Sequence, residues 1–274
     1  MTIYTRRFES VRGFRATYTA RVVSVSFIQS GKQVSGEAAI FPICHIGDGK
    51  LRLIGTGFFI TTNGLFITAK HVLLDENGEP DEGPLYVVHF YEPGKYFLRN
   101  IIRASLSTES DFAIGALAPM SSIHTGESLT NTILSLSLHV PAVGERISTY
   151  AYPETDMNYS DATTGSQSAI NFVSKWYHGT VNDLLPHGTA KAPSAAIIAI
   201  MESLGGCSGG PVFSEHGDGG VIGINSAGYT DDIHVVSLTA AALSVSFFDI
   251  NVGDQYYDAI TIQQLIDLGH VLTA

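Results

Sequence analysis

The chain has 274 residues, 45% of them apolar and only 15% charged, and its formal net charge is −11. That balance excludes a disordered polypeptide and leaves ample apolar material for a sizeable core. It also argues against nucleic acid as a partner, because acidic side chains outnumber basic ones.

The one basic cluster, Arg6, Arg7, Arg12 and Arg15, opens the chain and reads as a solvated end. About 40 residues precede the first clear strand pair, and they receive no role. The start lacks the continuous apolar run of a secretory leader. No stretch is apolar over the 18 or so residues a bilayer demands, so no membrane contact is expected. Cys44 and Cys207 are the only cysteines. Two are too few for a disulfide framework, so both are expected as free thiols in a reducing cytoplasm.

In chain order, residues 16–28 alternate in part and read as a strand. Residues 55–61 and 65–68 are apolar runs flanking Thr62-Asn63-Gly64. Asn-Gly at that place predicts a hairpin with a type I′ turn. A short helical turn is expected over 69–74. Further strands are read at 85–91, 112–117, 146–152, 195–201, 211–213, 221–225 and 235–238, most bounded by glycine, proline or acidic turns. Residues 154–168 are polar and read as an exposed loop. The single persuasive helix is 261–268, where Ile262, Leu265 and Ile266 share a face and Gly269 follows as a stop. With 28 glycines and many short strands, the chain predicts an all-β fold of barrels or a sandwich.

Three segments carry chemistry. The first is Gly205-Gly206-Cys207-Ser208-Gly209-Gly210-Pro211. A nucleophilic serine needs an exposed hydroxyl on a tight turn, with backbone N–H groups aimed at one point where an oxyanion forms. Glycines on both sides permit that backbone and a close approach of substrate. The plain alternative is a glycine-rich turn without chemistry. The second segment places His71 where a strand leaves the hairpin and enters a helical turn, a rigid mount for a general base. In the third, Asp111 opens the apolar strand 112–117 and is placed to orient an imidazole. Taken singly, it is a strand-initiating surface aspartate.

Together, GTGFFIT…ITAKHVL, SDFAIGAL and GGCSGGPV resemble the His, Asp and Ser segments of the trypsin-like (chymotrypsin-fold) serine peptidases, in that chain order. The intervals are 111 − 71 = 40 and 208 − 111 = 97 residues. The Val143-Gly144-Glu145 and Tyr150–Pro153 segments resemble the opening of the second barrel, and Gly223–Gly228 the strand that pairs with substrate. The resemblance spans roughly residues 50–240.

It implies two six-stranded antiparallel β-barrels with a short C-terminal helix. The N-terminal extension and first barrel would occupy 1–140, and the second barrel and helix 141–274. It implies a serine endopeptidase acting on peptide or protein substrates through an acyl-enzyme, without metal or cofactor. Ser208 would be the nucleophile, His71 the base and Asp111 its orienting partner. The N–H groups of Gly206 and Ser208 would form the oxyanion hole. Glu202, Ser203, Ser226, Ala227 and Gly228 would bind substrate, which adds as a strand along Ser226–Gly228. Glu202 at the pocket base would select Arg or Lys; alternatively it turns to solvent. Cys207 stands where zymogen-derived members carry the aspartate that pairs with a newly cut N-terminus, so control is expected to come from elsewhere, with a regulatory protein partner as one route. The rival reading is a non-catalytic peptide-binding module that retains the fold.

Overall fold

The computed structural model describes residues 3–4, 16–18, 26–29, 32–47, 50–75, 77–79, 83–92, 95–121, 128–158, 168–202, 205–230, 232–252 and 255–274. Four short strands come first: β1 (Ile3–Tyr4), β2 (Ala16–Tyr18), β3 (Ser26–Gln29) and β4 (Lys32–Ser35), followed by a one-turn helix α1 (Gly36–Ala39).

The first barrel comprises β5 (Ile40–Gly47), β6 (Lys50–Phe59), β7 (Leu65–Ala69), β8 (Leu85–Glu92), β9 (Lys95–Leu106) and β10 (Phe112–Leu117). Their order is β9-β10-β7-β6-β5-β8, and pairing of β8 with β9 closes the ring. β1 adds to the outside of β9. The interior is aromatic and aliphatic: Phe41, Phe58, Phe59, Phe66, Phe112 and Ile43 are essentially without exposure. Phe41 packs tilted on Phe59 and edge-on to Phe66, at centroid distances of 4.5 and 5.5 Å.

The second barrel repeats the plan with β11 (Arg146–Asn158), β12 (Ser168–Leu185), β13 (Ala196–Met201), β14 (Pro211–Ser214), β15 (Val221–Gly228) and β16 (Ile233–Leu238). The order is β11-β14-β15-β16-β13-β12, closed by β11–β12 pairing, and β2 joins β12 in parallel. Ile147, Val181, Ile197, Val212, Ile222 and Val236 fill it. Both barrels are antiparallel and six-stranded, as expected. Closure leaves the barrel strands no long open edge to protect.

A final hairpin, β17 (Ser246–Val252) with β18 (Gln255–Thr261), precedes α2 (Ile262–Asp267). Phe247, Ile250, Ile260, Ile262 and Leu265 pack into the cluster of the first barrel. The Asn63 amide also donates to the Asn251 carbonyl at 2.8 Å. The expected C-terminal helix is present and carries a capping box. Thr261 Oγ1 accepts from Gln264 N, and Gln264 Oε1 accepts from Thr261 N.

Several sequence expectations differ from the structure. Of 16–28, Ala16–Tyr18 and Ser26–Gln29 are strand, and the rest lies outside the described residues. The loop read at 154–168 is in part strand, because β11 continues to Asn158 and β12 begins at Ser168. The Asn63-Gly64 hairpin is not type I′. Only Gly64 is left-handed (φ +106°), and the loop closes through Gly64 N to Thr61 O and Ile60 N to Leu65 O. A type I′ turn needs both central residues left-handed. Here the Thr61 hydroxyl bonds the Asn63 side-chain oxygen at 2.5 Å and organises a four-residue loop instead. Cys44 and Cys207 are both buried and neither is in a disulfide, as expected. Burial pushes the Cys44 thiol far up, which makes it inert.

Candidate active site

Strand register brings the first two site residues together. β10 pairs with β7 so that Phe112 faces Ala69, which places Asp111 beside the 3-10 turn Lys70–Leu73. The Asp111 carbonyl accepts from Lys70 N at 2.8 Å, continuing the ladder one residue further. His71 Nδ1 lies 2.9 Å from Asp111 Oδ2 and 3.1 Å from Oδ1. Asp111 Oδ1 also accepts from the His71 backbone N–H at 3.2 Å.

The Asp111 side chain is 4% exposed and that of His71 is 43% exposed. A carboxylate only accepts, so His71 Nδ1 carries the ring proton and Nε2 is left as the acceptor. The His71 ring thus bonds to Asp111, while its carbonyl accepts from Leu74 N at 3.4 Å and closes the 3-10 turn. The loop before Asp111 is pinned by Ser107. Its carbonyl accepts from Lys70 Nζ at 3.0 Å, and its hydroxyl accepts from the N–H groups of Glu109 and Ser110.

Ser208 sits on the turn between β13 and β14, and this turn is fastened to the first barrel. The Ser208 carbonyl accepts from Thr56 N at 2.8 Å. Thr56 Oγ1 donates to the Gly206 carbonyl at 2.8 Å and accepts from Tyr152 N at 3.3 Å. The Thr56 carbonyl in turn accepts from Thr68 Oγ1, three residues before His71. Gly210 N closes the turn on the Cys207 carbonyl at 2.9 Å. Gly209 N donates to the Asn225 carbonyl at 2.8 Å, and Asn225 N to the Gly210 carbonyl at 3.0 Å. The Asn225 amide reaches Thr149 Oγ1, which donates to the Pro211 carbonyl. One network therefore holds the Ser208 turn against the strand that delivers His71.

Gly206 and Gly209 have φ of +95° and +80°. Cys207 is buried against Ala151, Tyr177 and Met201, so its thiol points into the barrel while Ser208 is half-buried at the cleft. Pairing of β14 with β15 stops at Ile224, and beyond it Ser226–Gly228 pairs only with β16. Their other edge is without a strand partner among the described residues. Ser226 is buried with its hydroxyl 2.6 Å from that of Ser237, Ala227 is half-buried, and Gly228 is exposed. Glu202 follows β13 and is exposed. Ser203 lies outside the described residues.

Residues 55–224, more than half of the chain, match the family model described as a trypsin-like peptidase domain. The chain belongs to that family. Among solved structures, this trypsin-like domain is similar to Deg5, with a TM-score of 0.51 and 19% identity over 75% of this chain and 85% of that one. Two further similar structures are a thermostable serine protease, AL20, from an extremophilic microorganism (TM-score 0.49, 20% identity, 74% and 91% covered) and the active form of the Rv3671c protease from M. tuberculosis (TM-score 0.48, 17% identity, 87% and 84% covered). At such identities the likeness to Deg5 bears on the fold. No curated protein matches the sequence.

Sequence reasoning missed the fastening residues Thr56, Thr68, Thr149 and Asn225. The signal for Thr56 was present as a threonine between two glycines, Gly55 and Gly57, within the otherwise apolar run from Leu53 to Ile60. No local pattern marks Asn225, whose partners are 15 and 76 residues away.

Proposed function

We propose that this trypsin-like domain is a serine endopeptidase in which Ser208, His71 and Asp111 act as the catalytic triad. The observation that carries this reading is the His71–Asp111 pair, with Nδ1 committed to the carboxylate and the ring mounted on the 3-10 turn after β7, whose Thr68 bonds the same Thr56 of β6 that holds the Ser208 turn. In this reading His71 Nε2 takes the Ser208 hydroxyl proton as Oγ attacks the peptide carbonyl carbon. Asp111 stabilises the imidazolium without taking its proton. The backbone N–H groups of Gly206 and Ser208 receive the developing oxyanion. Collapse expels the amine, which takes the proton from His71 and leaves an ester on Ser208. Water, deprotonated by the same nitrogen, then releases the acid. Substrate lies extended along the open edge of Ser226–Gly228.

A fluorophosphonate probe tests the assignment. Labelling of native protein at Ser208, absent after heat denaturation and in Ser208→Ala, is the expected result. Native protein that takes no label at Ser208 would instead favour a peptide-binding module that kept the fold.

A further inference from the structure

Lys70, the residue before His71, grips the loop that delivers Asp111 at both of its ends. Its backbone N–H donates to the Asp111 carbonyl at 2.8 Å. Its half-buried side chain runs to the start of the same loop, where Nζ donates to the Ser107 carbonyl at 3.0 Å. The loop has a firm shape of its own. Ser107 N donates to the Phe112 carbonyl at 2.9 Å, and Ser107 Oγ accepts from Glu109 N, Ser110 N and the Ser110 hydroxyl. These bonds fix its internal form but do not seat it against the 3-10 turn that carries His71. Residues 107–110 are Ser, Thr, Glu and Ser, so no apolar side chain of the loop does so either. The other bonds that cross from the 3-10 turn come from Lys70 N, His71 N and His71 Nδ1, and all of them end on Asp111 itself. Lys70 Nζ is the contact that reaches past it.

We propose that Lys70 is a positioning residue for the reaction, acting through Asp111. Its ammonium holds the Ser107 end of the loop, while the pairing of Phe112 with Ala69 holds the other end. The inference rests on the peptidase reading above. The Asp111 carboxylate must meet two donors of His71 at once, the backbone N–H and Nδ1–H. A loop free to tilt about Phe112 would lose one of them and let the ring turn. A charged donor on a carbonyl is among the stronger hydrogen bonds, and it crosses from the element that carries the imidazole to the loop that carries its partner. Neither Lys70 Nζ nor Ser107 is placed to touch substrate in that reading. Loosening their contact therefore acts on the step in which His71 gains charge, and leaves ground-state binding as it was.

The test is Lys70→Met, which keeps the stem and removes the donor, beside Lys70→Arg, which keeps a charged donor. Lys70→Met is expected to lower kcat on a peptide substrate about ten-fold, with KM within about two-fold of wild type. Lys70→Arg should return kcat to within about three-fold of wild type. Proton NMR in a Ser208→Ala background reads the His71–Asp111 pair without any hydrolysis, because an Nδ1 proton held by a carboxylate resonates far downfield. That resonance is expected in Ser208→Ala and with Lys70→Arg added, and should broaden away with Lys70→Met added. A Lys70→Met enzyme with kcat within about two-fold of wild type and an intact resonance would overturn the proposal. So would a kcat that falls only in step with the folded fraction read from urea unfolding. Wild type that cleaves no peptide and takes no fluorophosphonate label removes the peptidase reading. The resonance then decides alone: its loss in Lys70→Met keeps Lys70 as the residue that seats the pair, and its persistence rejects that role.

Discussion

Gly209 lies so close to Thr68 that no side chain fits between them. A Cβ on Gly209 would fall 2.2 Å from Thr68 Oγ1, 2.4 Å from the Thr56 carbonyl oxygen and 2.7 Å from Ala69 N. The residue after Ser208 is thus pressed into the strand that leads to His71, and the approach of the two barrels is set by an absent side chain.

Gly209→Ala should therefore be among the most damaging small substitutions in the chain. It combines a left-handed φ of +80° with a clash against buried backbone. The expected loss is roughly 3 kcal/mol of stability or more. Urea unfolding measures it. A midpoint within error of wild type would mean that the two barrels are not locked here.

Thr56 ties the Ser208 turn to the first barrel through its hydroxyl, which serves both the Gly206 carbonyl and the Tyr152 N–H. Valine keeps the shape and removes both bonds in a fully buried place. Thr56→Val should cost about 1–3 kcal/mol. Because Gly206 is the proposed oxyanion donor, kcat should also fall, by roughly ten-fold or more, with KM little changed. Loss of stability with kcat intact would limit the threonine to a structural role.

Asp111→Asn keeps the size of the side chain but offers an N–H as well as an oxygen. His71 Nδ1 then can accept from the amide, which places the ring proton on Nε2, the nitrogen that must receive the serine proton. The expected loss in kcat is about 10⁴-fold on the triad reading. Peptide hydrolysis under saturating substrate measures it, and retention of more than a tenth of wild-type activity would remove Asp111 from the triad.

A buried polar cluster in the first barrel makes stability depend on pH. His89 is 1% exposed; its Nε2 lies 3.2 Å from the Ala38 carbonyl and its Nδ1 3.2 Å from Arg99 Nη1. Burial and then the Arg99 charge push its pKa down to about 3. The folded protein thus holds a neutral His89 where the unfolded chain, titrating near its ordinary 6.5, binds a proton. Its contribution is complete above pH 6.5 and is lost as the pH falls from there toward 3. Between pH 7 and pH 5 wild type should lose about 2 kcal/mol more than His89→Gln, as read from urea unfolding at both values. Equal losses would show that His89 does not titrate in the unfolded state alone.

The all-β character, the His71, Asp111 and Ser208 segments and the helix at 262–267 are legible in the chain because each is written locally. Apolar runs are cut by glycine turns, a serine is enclosed by four glycines, and Thr261 and Gln264 stand at capping-box spacing. Other features depend on partners far away in sequence. β9 follows Pro93-Gly94 and β12 runs up to Pro186, but both are long strands whose interiors mix polar and apolar residues without strict alternation, and their neighbours in the closed rings define them. The hairpin β17–β18 follows the second barrel in sequence yet packs on the first, because that is where Phe247, Ile250 and Ile260 find an apolar surface. Thr56 meets Gly206 across 150 residues. Strand register is the sum of many weak long-range contacts, and no short window of sequence contains both sides of such a pair.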